Sequence, residues 1–477
     1  MLLRRTKILV TLGPSTDKPG VLEDLFRAGI DVVRLNFSHG SAQDHIDRAN
    51  RVRALSKITG RRVGILADLQ GPKIRIERFK DSKVWLEEGQ NFSLDINLGK
   101  HDGDNTQVGI SYEPLAREVK PGTRLLLDDG RVVLDVVNVE NCTRINTKVV
   151  VGGDLSNNKG INLLGGGLSA AALTEKDKED IKTIAQIAAD YVAVSFPRTA
   201  EDMHEARRLL NEAGSCAGIV AKVERAEAMD VIDDIIRASD AIMVARGDLG
   251  VEIGDANLPA AQKYLIKRSR ELNRAVITAT QMMESMIENP IPTRAEVFDV
   301  ANAIVDGTDA IMLSAETATG KHPIKTVEAI VRICVETEKQ PSVTHSHHRM
   351  TDSFSAIDEA IAMSAMYLAN HTKISGVASL TESGSTPLWM SRINSNIPIF
   401  AFSSHHKTLG RVTLYRGVFP VPFSRESMEK AEVNQAIIEK LRRRGVVFKG
   451  DTYIITKGDA TGTQGGTNSL KVVTVND

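Results

Sequence analysis

Lys222 and Glu224 stand two residues apart at the end of the apolar run IVAKVE. In an extended chain that spacing puts both side chains on one face. The pattern recurs: Arg34, Asn36 and Ser38 close DVVRLNFS, and Asp68 closes RRVGILAD. Arg246 and Asp248 end AIMVARGD, Thr278 and Thr280 end AVITATQ, and Ser314 and Glu316 end AIMLSAE. A lone Lys-x-Glu usually reads as a satisfied ion pair. Six runs that each finish in polar groups with a period of two read as a site. Glu224 and Asp248 suit a Mg²⁺ or Mn²⁺ ion, which keeps several waters and takes substrate oxygens. Arg34, Arg75 and Arg246 offer guanidinium forks for phosphate or carboxylate, unless they pair with the site's own acids. Lys222 beside the carboxylates can neutralise a phosphoryl group in transfer. No cysteine or Ser–His–Asp arrangement competes as a nucleophile. His39 reads as structural, and His345, His347 and His348 read as a solvated stretch rather than a metal site.

These residues must be carried by strands that end together. The runs at 7–13, 31–38 and 61–69 are short and rich in Val and Ile, as strands buried on both faces are. Helical patterns separate them. After Gly71-Pro72 the rhythm changes to alternating apolar and polar residues between Gly, Asp and Asn turns, which predicts an inserted small β-barrel domain over 71–168. Helix TEKDKEDIKTIAQIAAD then begins with a Thr N-cap, and five more runs follow at 191–196, 219–224, 241–248, 275–281 and 310–316. Eight strand–helix units predict an α/β fold built on a (β/α)₈ TIM barrel, over 1–70 and 169–344. An open doubly wound sheet fits less well, because no GxGxxG follows the first strand. Residues 345–477 open on a polar linker and then alternate strands and helices, predicting a C-terminal α/β domain.

Composition removes whole classes of function. Lys and Arg number 60 against 61 Asp and Glu, a net charge of −1, so there is no basic excess to hold nucleic acid. Cys142, Cys216 and Cys334 form no CxxC pair, which excludes a zinc cluster and a disulfide framework and favours a reducing compartment. The first apolar run is far shorter than the roughly 20 residues of a membrane span. The expectation is a cytoplasmic protein with neither membrane nor nucleic-acid partners. Two Gly/Ser/Thr loops, TESGST at 381–386 and KGDATGTQGGTN at 457–468, suggest a phosphate nest in the last domain.

RLNFSHG, DLQGPKIR, NNKGIN, AKVERAEA, MVARGDLGVEI, ITATQMMESM, PTRAEVFDVANAIVDGTDAIMLSAETATGKHP and TESGST occur in this order. Together they resemble the pyruvate kinase family over essentially the whole chain. The resemblance implies a glycolytic enzyme that transfers the phosphoryl group of phosphoenolpyruvate to ADP, giving pyruvate and ATP. It implies Mg²⁺ on Glu224 and Asp248, with Lys222 stabilising the transferring group and Arg34 on substrate phosphate. Gly247, Asp248 and Thr280 would hold the substrate carboxylate, with Thr280 near the protonation path. Arg75 and Lys159 would meet the nucleotide phosphates. The insert would be a mobile lid, and the assembly a homotetramer. Another metal-dependent barrel enzyme acting on phosphoenolpyruvate or pyruvate would leave Arg75 and Lys159 without a role. A catalytically silent sensor would not need Lys222, Glu224, Asp248 and Thr280.

Two departures from the family pattern carry their own expectations. K⁺ ligands of the family correspond to Asn36, Ser38, Asp68 and the next carbonyl, and K⁺-using members often read GPEIR. Here Lys73 stands at that Glu and Leu69 at the common Thr, so the ammonium is expected to stand in for K⁺. The effector loop carries Glu382 and Ser385 where bisphosphate-activated members often have a basic residue. Thr381, Ser383, Ser385 and Thr386 could still hold one phosphate. The expected effector is a sugar monophosphate or AMP rather than fructose 1,6-bisphosphate.

Overall fold

The computed structural model describes residues 3–344, 353–425, 428–429, 431–459, 462 and 464–476. The histidine run His345, His347 and His348 lies outside the described residues. Eight parallel strands close a ring: β1 (Lys7–Thr11), β2 (Val32–Asn36), β3 (Gly64–Asp68), β4 (Tyr191–Val194), β5 (Gly218–Val223), β6 (Ala241–Ala245), β7 (Ala275–Ala279) and β8 (Ala310–Leu313). Closure is made by β1, which pairs with β2 on one side and β8 on the other. Across the insert, β3 still pairs with β4, with Leu66 opposite Tyr191 and Asp68 opposite Ala193. Alternate residues serve two cores. Ile8, Val33, Ile65 and Val276 pack outward with the helices, while Leu9, Val32, Leu66 and Ile277 belong to a second cluster on the opposite face. Burial on both faces is why these strands read as continuous apolar runs.

The insert is a curled six-stranded sheet with a separate two-stranded ribbon, Lys83–Leu86 against Gly153–Ser156. Its core gathers Ile76, Phe92, Leu94, Leu125, Leu134 and Ile145. The junction with the barrel is tightly built. Gly71 takes a φ of 66°, and a Cβ there would stand 2.6 Å from Ser195 Cβ, so no side chain fits. Its N–H donates to Asp177 Oδ1 at 3.2 Å. Asp177 also completes the N-cap of the Glu175–Gln186 helix: it accepts from Thr174 N at 2.8 Å, while its own N–H donates to Thr174 Oγ1 at 3.1 Å. The chain returns through Gly165, whose N–H donates to the Glu252 carbonyl at 3.0 Å. Burial pushes the Glu252 carboxyl up to about 7, although it accepts the Ala226 N–H at 2.8 Å.

The last domain holds five strands, β9 (Gly376–Leu380), β10 (Ile399–Ser403), β11 (Val418–Pro422), β12 (Thr452–Lys457) and β13 (Ser469–Thr474). Their order is β11-β10-β9-β12-β13, and only β13 runs antiparallel to its neighbour. It is clasped to the barrel by Arg392 and Asp309, each side chain 1% exposed. Arg392 Nη1 donates to Asp309 Oδ2 at 2.9 Å, and Asp309 also accepts the N–H groups of Val276 and Arg416, both at 2.9 Å. No described helix is long and apolar enough to cross a membrane.

Removing one partner of a buried pair leaves the other charge uncompensated. Asp309→Ala is expected to cost about 3–5 kcal/mol of stability, measured by urea unfolding. At Glu252 the folded protein keeps its proton to about 7, whereas the unfolded chain releases it near the ordinary 4.5. The stability this gives is therefore complete below that ordinary value and is lost as pH rises through about 7. Glu252→Gln should flatten the decline in melting temperature over that window, because the amide can still accept from Ala226.

Candidate active site

The C-terminal ends of β2, β3 and β5 bring four charges into one chain of contacts. Arg34 Nε donates to Asp68 Oδ2 at 2.6 Å, and its Nη1 donates to Thr11 Oγ1 at 3.1 Å. Asp68 Oδ1 lies 3.4 Å from Lys222 Nζ, which lies 3.0 Å from Glu224 Oε1. The Lys222 ammonium also donates to Ser195 Oγ at 2.7 Å, and Ser195 in turn donates to the Leu69 carbonyl at 2.7 Å. Glu224 Oε2 accepts the Phe196 N–H at 2.8 Å. Ser195 escaped the sequence reading. Its signal is parity, since Tyr191, Ala193 and Ser195 share one face of β4 and its extension.

Burial and charge compete at every member of this chain. Burial pushes the Asp68 carboxyl up, but Lys222 and Arg34 outweigh it and hold the group below the usual range. Burial lowers the Lys222 ammonium, but Asp68 and Glu224 raise it further, so it stays a firm cation. Glu224 ends higher than usual. Burial raises it, Lys222 opposes, and the like charge of Asp248 raises it again. That repulsion is what a divalent cation between Glu224 and Asp248 would relieve. Among the described residues no cluster of three or more His, Cys, Asp or Glu forms a closed metal cage. Two carboxylates with open positions fit Mg²⁺, which shares its shell with substrate and water.

Asp248 reaches the site by a different route from the one expected. The strand stops at Ala245, and Arg246–Ile253 is an α-helix, so Arg246 and Asp248 lie in a helical first turn rather than on one strand face. An apolar run does not mark where a strand hands over to a helix. Arg246 is committed elsewhere: its Nη1 and Nη2 donate to Asp299 at 2.7 and 2.8 Å, and Nη2 donates to the Thr280 carbonyl at 2.6 Å. It is an anchor for the Thr280 turn, not a phosphate fork. Thr280 sits just beyond β7 with φ of 68°, and Gln281 follows at 54°. A β-branched residue holds that left-handed backbone only under constraint. Its hydroxyl accepts the Gly247 N–H at 2.8 Å, which joins Gly247 to Thr280 at the mouth.

Two expected positions fall away from the mouth. Thr278 lies on the helix-facing side of β7, next to Val276, and bonds the Thr308 hydroxyl at 3.0 Å. Glu316 lies in the one-turn helix Ala315–Ala318, where its carboxylate accepts the N–H groups of Ser314 and Met283. For Glu316 the error comes from extending a period of two past Leu313, where β8 ends; for Thr278, still paired inside β7, it comes from giving it the face of Thr280, which has already left the strand.

The positions tied to a monovalent ion are adjacent. Asn36 stands opposite Asp68 in the β2–β3 register, and Asn36 Oδ1 accepts the Ser38 N–H at 3.2 Å. Lys73 comes from the insert and places Nζ 3.2 Å from Asp248 Oδ1, so its charge enters the site on the Asp248 side. Arg75 and Lys159 also come from the insert. Arg75 pairs with Gly160 in a β-bridge and donates to the Asn158 carbonyl at 2.8 Å, while Lys159 lies 2.6 Å from Asp128 Oδ1. They are neighbours on one surface.

In the last domain Thr381, Ser383, Ser385 and Thr386 line one cavity with Glu382, Thr467 and Arg425. The sequence reading left this loop without a cation. The structure corrects that by bringing in Arg425, remote in sequence, with Nη2 3.8 Å from Glu382 Oε1. Glu382 also meets His405 Nε2 at 2.7 Å and accepts the Gly462 N–H at 3.2 Å.

The chain matches two family descriptions in sequence. "Pyruvate kinase, barrel domain" covers residues 3–327, and "Pyruvate kinase, alpha/beta domain" covers residues 359–473. It is 58% identical over 477 residues to Pyruvate kinase II of Salmonella typhimurium, covering 99% of each chain. It is 56% identical over 466 residues to Pyruvate kinase of Haemophilus influenzae, covering 97% of each. Pyruvate kinase of Corynebacterium glutamicum is 39% identical over 480 residues, covering 99% of this chain and 98% of that one. With the charged mouth that the ring builds, these matches give one answer: the chain belongs to the pyruvate kinase family of phosphotransferases.

Proposed function

We propose that this chain moves the phosphoryl group of phosphoenolpyruvate to ADP at the mouth of the ring, using Lys222, Arg34 and Thr280. The observation that carries the reading is the Lys222 ammonium, held between Asp68 and Glu224 and next to the paired carboxylates Glu224 and Asp248. Mg²⁺, or Mn²⁺, held on Glu224 and Asp248, supplies charge neutralisation for the phosphoryl oxygens when bound. Arg34, oriented by Asp68, takes substrate phosphate, and Lys222 stabilises the group in transfer. The bond from the enol oxygen to phosphorus breaks as the bond from an ADP β-phosphate oxygen forms, and the enolate then takes a proton at carbon to give pyruvate. Gly247, Asp248 and Thr280 hold the substrate carboxylate, and Thr280 lies on the proton's path. Arg75 and Lys159 take the nucleotide phosphates. The working domain boundaries are 1–70 and 169–344 for the barrel, 71–168 for a lid that excludes water, and 345–477 for the regulatory domain. Cytoplasmic glycolysis in a homotetramer is the setting that goes with this role.

The same reading makes the enzyme independent of K⁺. Lys73 already supplies a fixed positive charge beside Asp248, while Asn36, Ser38 and Asp68 keep the family's K⁺ positions without its Glu. In a coupled assay, pyruvate should form from phosphoenolpyruvate only with ADP and Mg²⁺, and without added K⁺. Pyruvate formed without ADP would sink the phosphotransfer reading, and a strict need for K⁺ would sink the Lys73 reading alone. Lys73→Glu should lose roughly 10²-fold in activity without K⁺ and recover when K⁺ is supplied.

Regulation follows from the loop chemistry. The hydroxyls of Thr381, Ser383, Ser385 and Thr386 suit one phosphate, and Glu382 sits against the Arg425 guanidinium and repels a second. Titrations should rank AMP or a sugar monophosphate above fructose 1,6-bisphosphate as activators. The bisphosphate ranking first would overturn this assignment.

A further inference from the structure

At the opposite end of the ring from the active site, a cavity of about 730 Å³ opens between the barrel and the last domain. The barrel side contributes Arg53 and Lys57 from the Ala42–Thr59 helix, and Arg62 ahead of β3. The last domain contributes His406 and Lys407 from the His406–Arg411 helix. Its only lining carboxylate among the described residues is Asp190. One acid therefore serves three lysine or arginine neighbours too many. Asp190 is already engaged, by a strand N–H and by two of those cations. Its Oδ2 accepts the Ile65 N–H at 2.8 Å and lies 3.0 Å from Arg53, while Oδ1 lies 3.1 Å from Arg62. Arg53 Nη1 and Arg62 Nε remain buried with no acceptor among the described residues. A buried cationic donor without an acceptor is costly, and an oxyanion in the cavity would supply one.

We infer that this seam is a binding site for a small organic phosphate with a non-aromatic body, held jointly by the barrel arginines and by Lys57 and Lys407. Phosphate is the head group that matches forked guanidinium donors and two flexible ammonium groups at once. The rest of the lining is mostly small and apolar, with Ala188, Ala189 and Leu409 beside the hydroxyls of Ser56 and Ser215. Among the described residues it offers no aromatic ring besides His406 on which a nucleobase could stack. The seam is distinct from the Thr381–Thr386 loop, which lies in another cavity. The two are linked by one helix: Thr408, on the helix that carries Lys407, donates its hydroxyl to the Glu382 carbonyl. A ligand that bridges the seam fixes the last domain against the ring.

Cys216 lines the same cavity and is exposed, and Cys142 is exposed in the insert, so the chain carries its own reporter and control. The experiment measures the alkylation rate of each thiol in the full chain by peptide mass spectrometry, with a neutral maleimide. Glycerol 3-phosphate and inorganic phosphate are the probes, and glycerol is the blank. At about ten times its dissociation constant, a phosphate probe should slow Cys216 labelling roughly tenfold and leave Cys142 unchanged. Protection by inorganic phosphate alone, to the same extent, assigns the site to the free ion rather than to the organic ester, and overturns the organic-body part of the inference. Lys57→Glu with Lys407→Glu, both exposed positions, should abolish protection. Ser383→Ala with Thr386→Ala should preserve it. No protection by either probe overturns the site. So does protection that survives the lysine pair or disappears with the loop pair.

Discussion

Asp68 is a carboxylate with a side chain 1% exposed, and everything at the mouth of the ring depends on how that charge is balanced. Two cations balance it, Arg34 from β2 and Lys222 from β5. Neither could reach it unless the strands were fixed in register, with Asn36 and Asp68 paired on β2 and β3 and the ring closed through β4. A carboxylate in low dielectric without such partners would take up a proton. Held as it is, it stays ionised, aims the guanidinium of Arg34 and keeps Lys222 charged. The closed sheet is thus an electrostatic frame as much as a packing solution.

The architecture was readable because its periods are physical. Strands buried on both faces give apolar runs, eight of them close a ring, and the shift to alternation after Pro72 marks the insert. Thr174 was readable as a cap because a capping pattern is local. The charged chain Arg34, Asp68, Lys222 and Glu224 was readable because each residue follows strand parity up to the strand's end. Beyond that end the reading broke down. Asp248 enters on a helix, Thr280 on a left-handed turn, and Glu316 turns to structural partners, while Thr278, still inside β7, faces the helices. Ser195, Asp299 and Arg425 were invisible for a different reason. Their partners are remote in sequence, and no local pattern marks a side chain that only closes someone else's hydrogen bond.

Cations and carboxylates are also divided between structural units. The carboxylates of the mouth, Asp68, Glu224 and Asp248, all belong to the ring, and so do Arg34 and Lys222. Lys73, Arg75 and Lys159 come from the insert. The charge of the site therefore depends on where the insert docks as well as on the ring. Where Lys73 sits 3.2 Å from Asp248, the insert relieves part of the repulsion between Asp248 and Glu224.

This division gives the near-zero net charge of −1 its meaning. An overall excess of cations would attract polyanions without selection, whereas a balanced chain can concentrate charge locally. At the mouth, cations and acids interleave at contact distance, so the field there is directional and short-ranged. At the seam on the far end of the ring, basic groups outnumber the single acid Asp190, so the field has one sign. The first pattern suits a metal shared with a reacting phosphate, because charge there must be redistributed during a reaction. The second suits an anion that only binds, because Asp190, its one carboxylate among the described residues, is already held by Arg53, Arg62 and the Ile65 N–H. The two patterns lie at opposite ends of one ring, with its interior between them filled by apolar residues such as Leu9, Leu66 and Ile277. A ligand at the seam can thus act on the mouth only by shifting the elements it holds, the Ala42–Thr59 helix, the start of β3 and the last domain, not by direct field through that packed interior.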